Sequence, residues 1–377
     1  MRDSCRRELE NPKIDMSVVI DKLVTGGRFW LFKSLLLAIL AASIFTAFPD
    51  FLIYRKIQLP PAYELKSLRP FADTTVLTVP EFCGERSHGN KLTPRIFGSV
   101  LLYLVSKLSW HPYLPATVGG VIFLLSGILT GYQITSDRAT GLYLGMLYAG
   151  LWALYACFEI DINRPKPFDG IAIGLLSITI VSTKYPYIFT GAAFLSCWTD
   201  ERAVLSLIYI AVYIVAMSAV DKRRKINHVY ILAGVIVAYA ITRAILSYAL
   251  RWNPPDTSMV ELYVVKDISN IPSWQESIRL LLAAAWTCFD GGSLALSCAL
   301  WSLFRRQEYL RLGIIVVCIG LAVGSATIVL DVQRAAAFAF PMIPVGFAVL
   351  RRNGVSIGDL RRLAAWGAFV SLLVPII

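Results

Sequence analysis

Charge is scarce in this chain. Asp, Glu, Lys and Arg make up 16% of its 377 residues, apolar residues make up 56%, and the mean hydropathy is +0.62. That balance exceeds what one soluble core of this size needs and excludes an ordinary water-soluble globule. Histidine is scarcer still: His88, His111 and His228 lie far apart in sequence, so histidine-based metal or nucleophile chemistry has no support. The seven cysteines are scattered, mostly within apolar stretches, and show no CxxC spacing; neither a disulfide framework nor a zinc site is expected. The chain also lacks a phosphate-cradling glycine loop, an internal repeat, a low-complexity tract and any polar segment long enough for a soluble domain.

What is present is hydrocarbon in long runs. Apolar segments able to cross about 30 Å of bilayer, at about 20 residues each, fall at 29–49, 95–110, 113–134, 141–158, 170–198, 203–220, 229–248, 275–303, 312–330, 335–350 and 363–377. The fifth also reads as two half-helices around Lys184 and Pro186. The expected fold is therefore all-α, a polytopic transmembrane bundle of about 11 spans. The polar start, residues 1–28, sets the first run too far into the chain for a cleaved signal peptide, so that run is expected to stay as an anchor. Residues 29–377 then form one transmembrane domain.

The net charge of +11 comes in short clusters between apolar runs rather than on one polar face, so it argues topology and no nucleic-acid partner. Lysine and arginine favour cytoplasmic loops. The densest clusters, DKRRK at 221–225, Arg305–Arg306 and RRNGVSIGDLRR at 351–362, share one face when eleven spans are counted, and the N-terminus joins them in the cytoplasm. The other face then holds the outer loops 50–94 and 251–274, the turn with Asp137 and Arg138, the stretch TDER (Thr199–Arg202) and the stretch DVQR (Asp331–Arg334).

The TDER turn admits two readings. In one, Thr199 caps the next helix, Asp200 and Glu201 sit in its favourable first turn, and Arg202 snorkels. In the other, the charges build a site, because charge at membrane depth is costly and usually functional or paired, and DVQR repeats the arrangement with Asp331 and Arg334. Arginine binds phosphate through a planar fork. Arg138, Arg202 and Arg334 are thus candidates for a lipid-linked phosphate, with Asp200, Glu201 and Asp331 to orient them or the acceptor. Lys184, in STKYPYIF beside a helix-breaking proline, is a further candidate for a phosphate or cavity contact, with a snorkelling role as the rival. Asp290, in CFDGGSLAL, falls inside an apolar run, where a buried carboxylate suits an ion path.

In the first outer loop, Asp73 precedes Arg95 by about twenty residues, and TPRIFGS at 93–99 opens the next run. This layout resembles the GT-C superfamily of polytopic glycosyltransferases, whose first non-cytoplasmic loop carries an acidic catalytic residue ahead of a proline-containing element that opens the next span. The resemblance covers mainly residues 29–110. It implies Asp73 as the catalytic carboxylate. Asp73 is followed by Thr74 and Thr75 rather than a second acid, which leaves Asp50, in AFPD, as the alternative base; an Asx turn or helix cap is the structural role open to Asp73.

The function expected is transfer of a sugar from a polyprenyl-phosphate donor to a glycan or lipid acceptor on the non-cytoplasmic face, in a protein multiply spanning the bacterial inner membrane. The alternatives are a polysaccharide polymerase or ligase using a polyprenyl-diphosphate donor, and a transporter or lipid flippase built on Asp290 and Lys184. A divalent cation is compatible with the carboxylates, but no spacing requires one.

Overall fold

A computed structural model describes residues 26–46, 48, 95–108, 110, 114–157, 160–161, 164–165, 167–218, 227–249, 274–328 and 332–373. In chain order the helices are α1 (Trp30–Phe45), α2 (Ile96–Lys107), α3 (Leu114–Thr135), α4 (Arg138–Gly150), α5 (Trp152–Ala156), α6 (Pro167–Val181), α7 (Pro186–Thr199), α8 (Ala203–Ser218), α9 (Asn227–Ala249), α10 (Trp274–Phe289), α11 (Ser293–Arg305), α12 (Tyr309–Ile328), α13 (Val332–Ala337), α14 (Met342–Arg352) and α15 (Ile357–Leu373). A minimal antiparallel ladder, Ile160–Asp161 against Arg164–Pro165, precedes α6. A 3₁₀ turn at Asp290–Gly292 joins α10 to α11.

Among the described residues, five helical segments are long and apolar enough to cross a membrane: Leu114–Thr135, Asn227–Leu246, Leu281–Arg305, Tyr309–Ala326 and Ala335–Arg352. Trp30–Phe45, Phe168–Val181 and Ala203–Ser218 are shorter apolar helices. Burial separates centre from rim. Within Ala335–Arg352, 89% of residues are buried, against 17% for Asn227–Leu246, whose Tyr230, Val237 and Ile241 face outward. A helix that is apolar all round suits either place. At the centre Phe123 stacks on Tyr148 with ring centroids 4.7 Å apart, and Phe340 meets Phe123 edge-on at 5.0 Å.

Glycine lets the central helices touch. A Cβ on Gly119 of α3 would lie 2.1 Å from the Gly170 carbonyl oxygen of α6, and one on Gly145 of α4 would lie 2.4 Å from Ile128 of α3. Close approach at small residues is how helices associate where lipid offers no hydrophobic drive.

The contacts fix which helix ends lie together. Asp169, in the first turn of α6, meets Arg202, just before α8, so α6 and α7 form a hairpin whose open ends share one end of the bundle. The run 170–198 is therefore two helices; Pro186 at the first position of α7 marks the break. Gln133, near the end of α3, donates to the Val181 carbonyl at 3.4 Å, which places the hairpin's turn at the opposite end.

Two expectations are corrected here. Arg95, which opens α2, and Gly119, in the second turn of α3, both lie near the start of α6, so residues 95–110 do not carry the chain across. Twelve helical residues reach only about 18 Å, short of a bilayer's hydrocarbon. Likewise Asp137 and Arg138 are not on the TDER side. Asp137 pairs with Arg361 at 3.0 Å and Arg138 donates to the Gly27 carbonyl at 3.3 Å, which sets them, about 33 Å away along α3, with the N-terminal start of α1 and the basic segment 351–362.

Candidate functional site: a buried arginine and carboxylate network

The TDER turn is the hub of a charge network that joins four helices. Asp200, which follows α7, is fully buried. Its Oδ2 accepts from Arg202 Nη2 at 2.7 Å and from Arg95 Nη1 at 3.0 Å. Its Oδ1 accepts from Arg202 Nε at 2.8 Å and from the Arg202 backbone N–H at 3.0 Å, an Asx-type turn that closes on its own arginine. Arg202 Nη2 also donates to Asp169 Oδ1 at 2.7 Å. Arg95 reaches Glu201 through Nη2 at 3.3 Å and Nε at 3.4 Å.

The surrounding packing buries the carboxylates at the centre of the network, Asp169 and Asp200. Phe97 and Leu101 of α2 pack on Phe168, Ile171 and Leu175 of α6, and Arg95 lies over the Phe168 ring at 5.9 Å. The Phe338 ring sits 4.7 Å from the Arg202 guanidinium carbon, and Ser206 donates to the Phe338 carbonyl at 2.6 Å, which holds the 338–341 turn against α8. Burial pushes the Asp200 carboxyl up, but Arg202 and Arg95 outweigh it and hold the group well below the usual carboxylate range. Burial opposes the charge of Arg202, and Asp169 and Asp200 more than restore it, so its pKa is raised; Arg95 is raised in the same way, by Asp200 and Glu201. Each shift favours the charged form of these arginines and of Asp200.

Two groups stay open at the edge of this network. Arg202 spends Nε and Nη2 on carboxylates, while its Nη1 has no partner among the described residues. The Glu201 side chain is 34% exposed, and among the described residues its carboxylate is held only by the two long contacts from Arg95. Below Arg202, a slot of about 120 Å³ runs along α8 and is walled by Arg202, Leu205, Tyr209, Ala322, Ser325 and Phe338 among others. Among the described residues, no group of His, Cys, Asp and Glu is arranged to hold a metal ion.

The other candidate residues distribute unevenly. Asp200, Glu201 and Arg202 converge; Arg138 and Lys184 do not join them. Lys184 is exposed in the turn between α6 and α7, at the far end of the hairpin from TDER, where Pro186 starts a helix; it lines no cavity with Arg202, and this position agrees with the snorkelling alternative. Asp50, Asp73 and Asp331 lie outside the described residues. Arg334 is carried by α13, which runs directly into the turn that places Phe338 on Arg202.

Arg95 and Asp169 are the residues that sequence reasoning missed. Each stands at the mouth of an apolar run, in TPRIFGS and KPFDG, as Asp200 and Arg202 do. A charge in that position was the available signal; its partner, 33 to 106 residues away in sequence, was not. No protein-family model matches this chain, nor does any curated protein or solved structure.

Proposed function

We propose that the chain is an integral membrane glycosyltransferase that moves a sugar from a polyprenyl-phosphate donor to a glycan or lipid acceptor at the end of the bundle carrying Arg202. One observation carries this reading. Arg202 is locked in place by two carboxylates and a ring, keeps Nη1 unspent, and stands over an apolar slot, a combination suited to a lipid phosphate at a membrane boundary.

The bundle's polarity agrees. Arg138, Lys184, Arg306, Arg352 and Arg361 gather at the opposite end, which the charge rule makes cytoplasmic. Counting the shorter helices that run between the ends with the five long ones, the chain crosses eleven times in this reading, and Phe48 and Arg95, the described residues on either side of 49–94, both lie at the Arg202 end. That side is where Asp73 or Asp50 is needed.

In the reaction the acceptor hydroxyl oxygen attacks the anomeric carbon. The bond from that carbon to the donor phosphate breaks, its electron pair leaves with the polyprenyl phosphate, and the hydroxyl proton passes to the carboxylate of Asp73, or of Asp50 in its place. Glu201, the accessible acid, orients the acceptor; Arg202, through Nη1, and Arg334 hold the donor phosphate.

The test is transfer from a purified lipid-linked sugar in detergent, beside a donor-binding measurement. Asp73→Asn should abolish transfer with donor binding kept, and Arg334→Ala should weaken donor binding about tenfold, the value of one charge-assisted contact. Full transfer by Asp73→Asn would move the base to Asp50 or favour a polymerase that works through arginines alone. No transfer by the wild type from any polyprenyl-phosphate sugar sinks the reading.

A transporter or lipid flippase is the second reading, and Asp290 favours it. This carboxylate is 4% exposed at the break between α10 and α11, with a left-handed φ of 45° and an Oδ1 that has no hydrogen-bond partner among the described residues. Counterflow of a lipid across proteoliposomes, lost in Asp290→Asn, would support it.

A further inference from the structure

The segment Leu281–Arg305 is interrupted by the 3₁₀ turn between α10 and α11, and the interruption carries a carboxylate. Asp290 stands there at a left-handed φ of 45°, followed by Gly291 and Gly292, and is 4% exposed. Its Oδ1 is buried and has no hydrogen-bond partner among the described residues. Two helices measure its depth alike. The Gly291 N–H donates to Ser371 Oγ at 3.0 Å, and a Cβ on Gly150, the last residue of α4, would lie 2.7 Å from Ser371 Cβ. The break is therefore level with the far end of α4. Thirteen residues of α4 and thirteen of α11, about 20 Å, separate it from the basic end of the bundle. That depth falls inside the roughly 30 Å of hydrocarbon, where charge is costly.

An ionised Asp290 has no opposite charge to meet. Against 290–292, α15 brings Gly367 and Ser371 and α14 brings Ile343, while α4 brings Leu147 and Gly150 to the same junction. Of the titratable groups on these elements, the Cys288 thiol is buried two residues before Asp290, and the Tyr148 ring is taken up by Phe123 and Phe340. Tyr143 lies two turns nearer the basic end, where the arginines of α4, α11, α14 and α15 also stand, and Arg279 is exposed about 16 Å away along α10. Among the described residues no charged side chain acts on the carboxylate.

Three occupants could relieve it. A divalent ion needs several oxygen ligands, and among the described residues no group of His, Cys, Asp and Glu is arranged to hold one. An alkali ion needs a shell of oxygens and room for it. A Cβ on Gly291 would lie 2.0 Å from the Gly367 carbonyl oxygen and one on Gly292 would lie 2.7 Å from Ile343, so the backbone is already in contact on both sides. A proton needs no shell. It removes the charge, and it makes the carboxyl a donor beside the end of α10, where the last carbonyls of a helix lack helical partners.

We propose that Asp290 is a proton-binding site, a carboxyl that holds its proton while the α10–α11 break is packed on α15 and releases it to water only when the two part. On release the electron pair of the O–H bond stays on the carboxylate and the proton leaves on a water molecule as hydronium. Loss of the proton and separation of the break from Ser371 are thus one linked event. The site stands apart from sugar transfer; under the transport reading it makes the coupled ion a proton.

The experiment compares the full chain with Asp290→Asn in detergent, first by infrared difference spectroscopy at neutral pH. The wild type should show a carbonyl band of a neutral carboxylic acid, shifted in D₂O, that Asp290→Asn lacks; a carboxylate band in its place overturns the proposal. Above about pH 4 an unfolded aspartate gives up its proton while folded Asp290 keeps it, so folding takes up a proton and stability falls as pH rises. The unfolding equilibrium constant of the wild type should therefore rise relative to that of Asp290→Asn, by up to about tenfold per pH unit between about pH 5 and 7. A ratio that does not change with pH overturns the site. Exchanging choline for sodium at fixed pH should alter neither protein, and stabilisation of the wild type alone by sodium would make this an alkali-ion site instead. Should Asp290→Asn not fold, Asp290→Glu takes its place: the neutral-acid band should then move in frequency, and an unmoved band belongs to another residue and overturns the assignment.

Discussion

The two ends of the bundle use the same residue types to opposite effect. At the Arg202 end, three carboxylates (Asp169, Asp200 and Glu201) meet two arginines, and the shared Asp200 is fully buried. At the other end arginine predominates and is wetter: Arg361, on Asp137, is 41% exposed and Arg362, on Asp359, is 81% exposed, while Glu308 serves both Arg311 and Arg352. Exposed pairs are worth little and are screened by salt. Buried ones are costly to form and costlier to break. A short turn holding an acid and an arginine is therefore a topology marker at one end and a joint between four helices at the other.

The sharpest way to break this comparison is topological, because its outcome is all-or-none. Single cysteines on a cysteine-free background, at positions 138 and 184, should react with an impermeant thiol reagent from the side of the N-terminus, and position 256 from the other. Labelling of 138 and 256 from the same side would dissolve the two-ended arrangement.

The largest energetic effect expected is at Asp200. Replacing it in Asp200→Ala strips both buried arginines of their shared acceptor and should cost about 3–5 kcal/mol, read as a large drop in unfolding temperature in detergent. A drop no larger than that of an exposed pair would mean that the network is wet.

Asp137→Ala should do less. Asp137 accepts from the Thr140 N–H at 3.0 Å as the helix cap of α4, worth about 1 kcal/mol, and its pair with Arg361 adds little. Burial pushes the Asp137 carboxyl up, but Thr140 and Arg361 outweigh it and hold it below the ordinary 3.8. A depressed carboxylate contributes its full stabilisation above the unfolded value and loses it as pH falls through the folded one. The gap between wild type and Asp137→Ala should thus be constant at neutral pH and narrow only below about 3.8; a gap that narrows between neutrality and pH 5 would remove Asp137 as its cause. Smallest of all, Arg362→Ala should leave the unfolding temperature unchanged, since a pair one turn apart on an exposed helix face competes with water.

How much of this was legible beforehand differs from residue to residue. Pro186 announced the break that makes 170–198 a hairpin, because a proline starts a helix more readily than it continues one. The charges of TDER announced themselves by interrupting hydrocarbon. Arg138 misled, since an acid and an arginine in a short turn look the same in sequence whichever end of a bundle they occupy. Reading 95–110 as a crossing was the error, whereas the alternative of two half-helices in 170–198 matches the α6–α7 hairpin.

The sequence by itself determined the solvent of this protein: long apolar runs cannot be hidden in one soluble core. Only the tertiary structure decided which charges meet. Arg95, Asp169 and Asp200 become one network because α2, α6 and the hairpin's open ends are drawn together by side chains such as Phe97, Phe168 and Ile171, and by glycines that admit a neighbouring backbone. No local pattern encodes those distances, for a buried ion pair depends on the packing that excludes water from it.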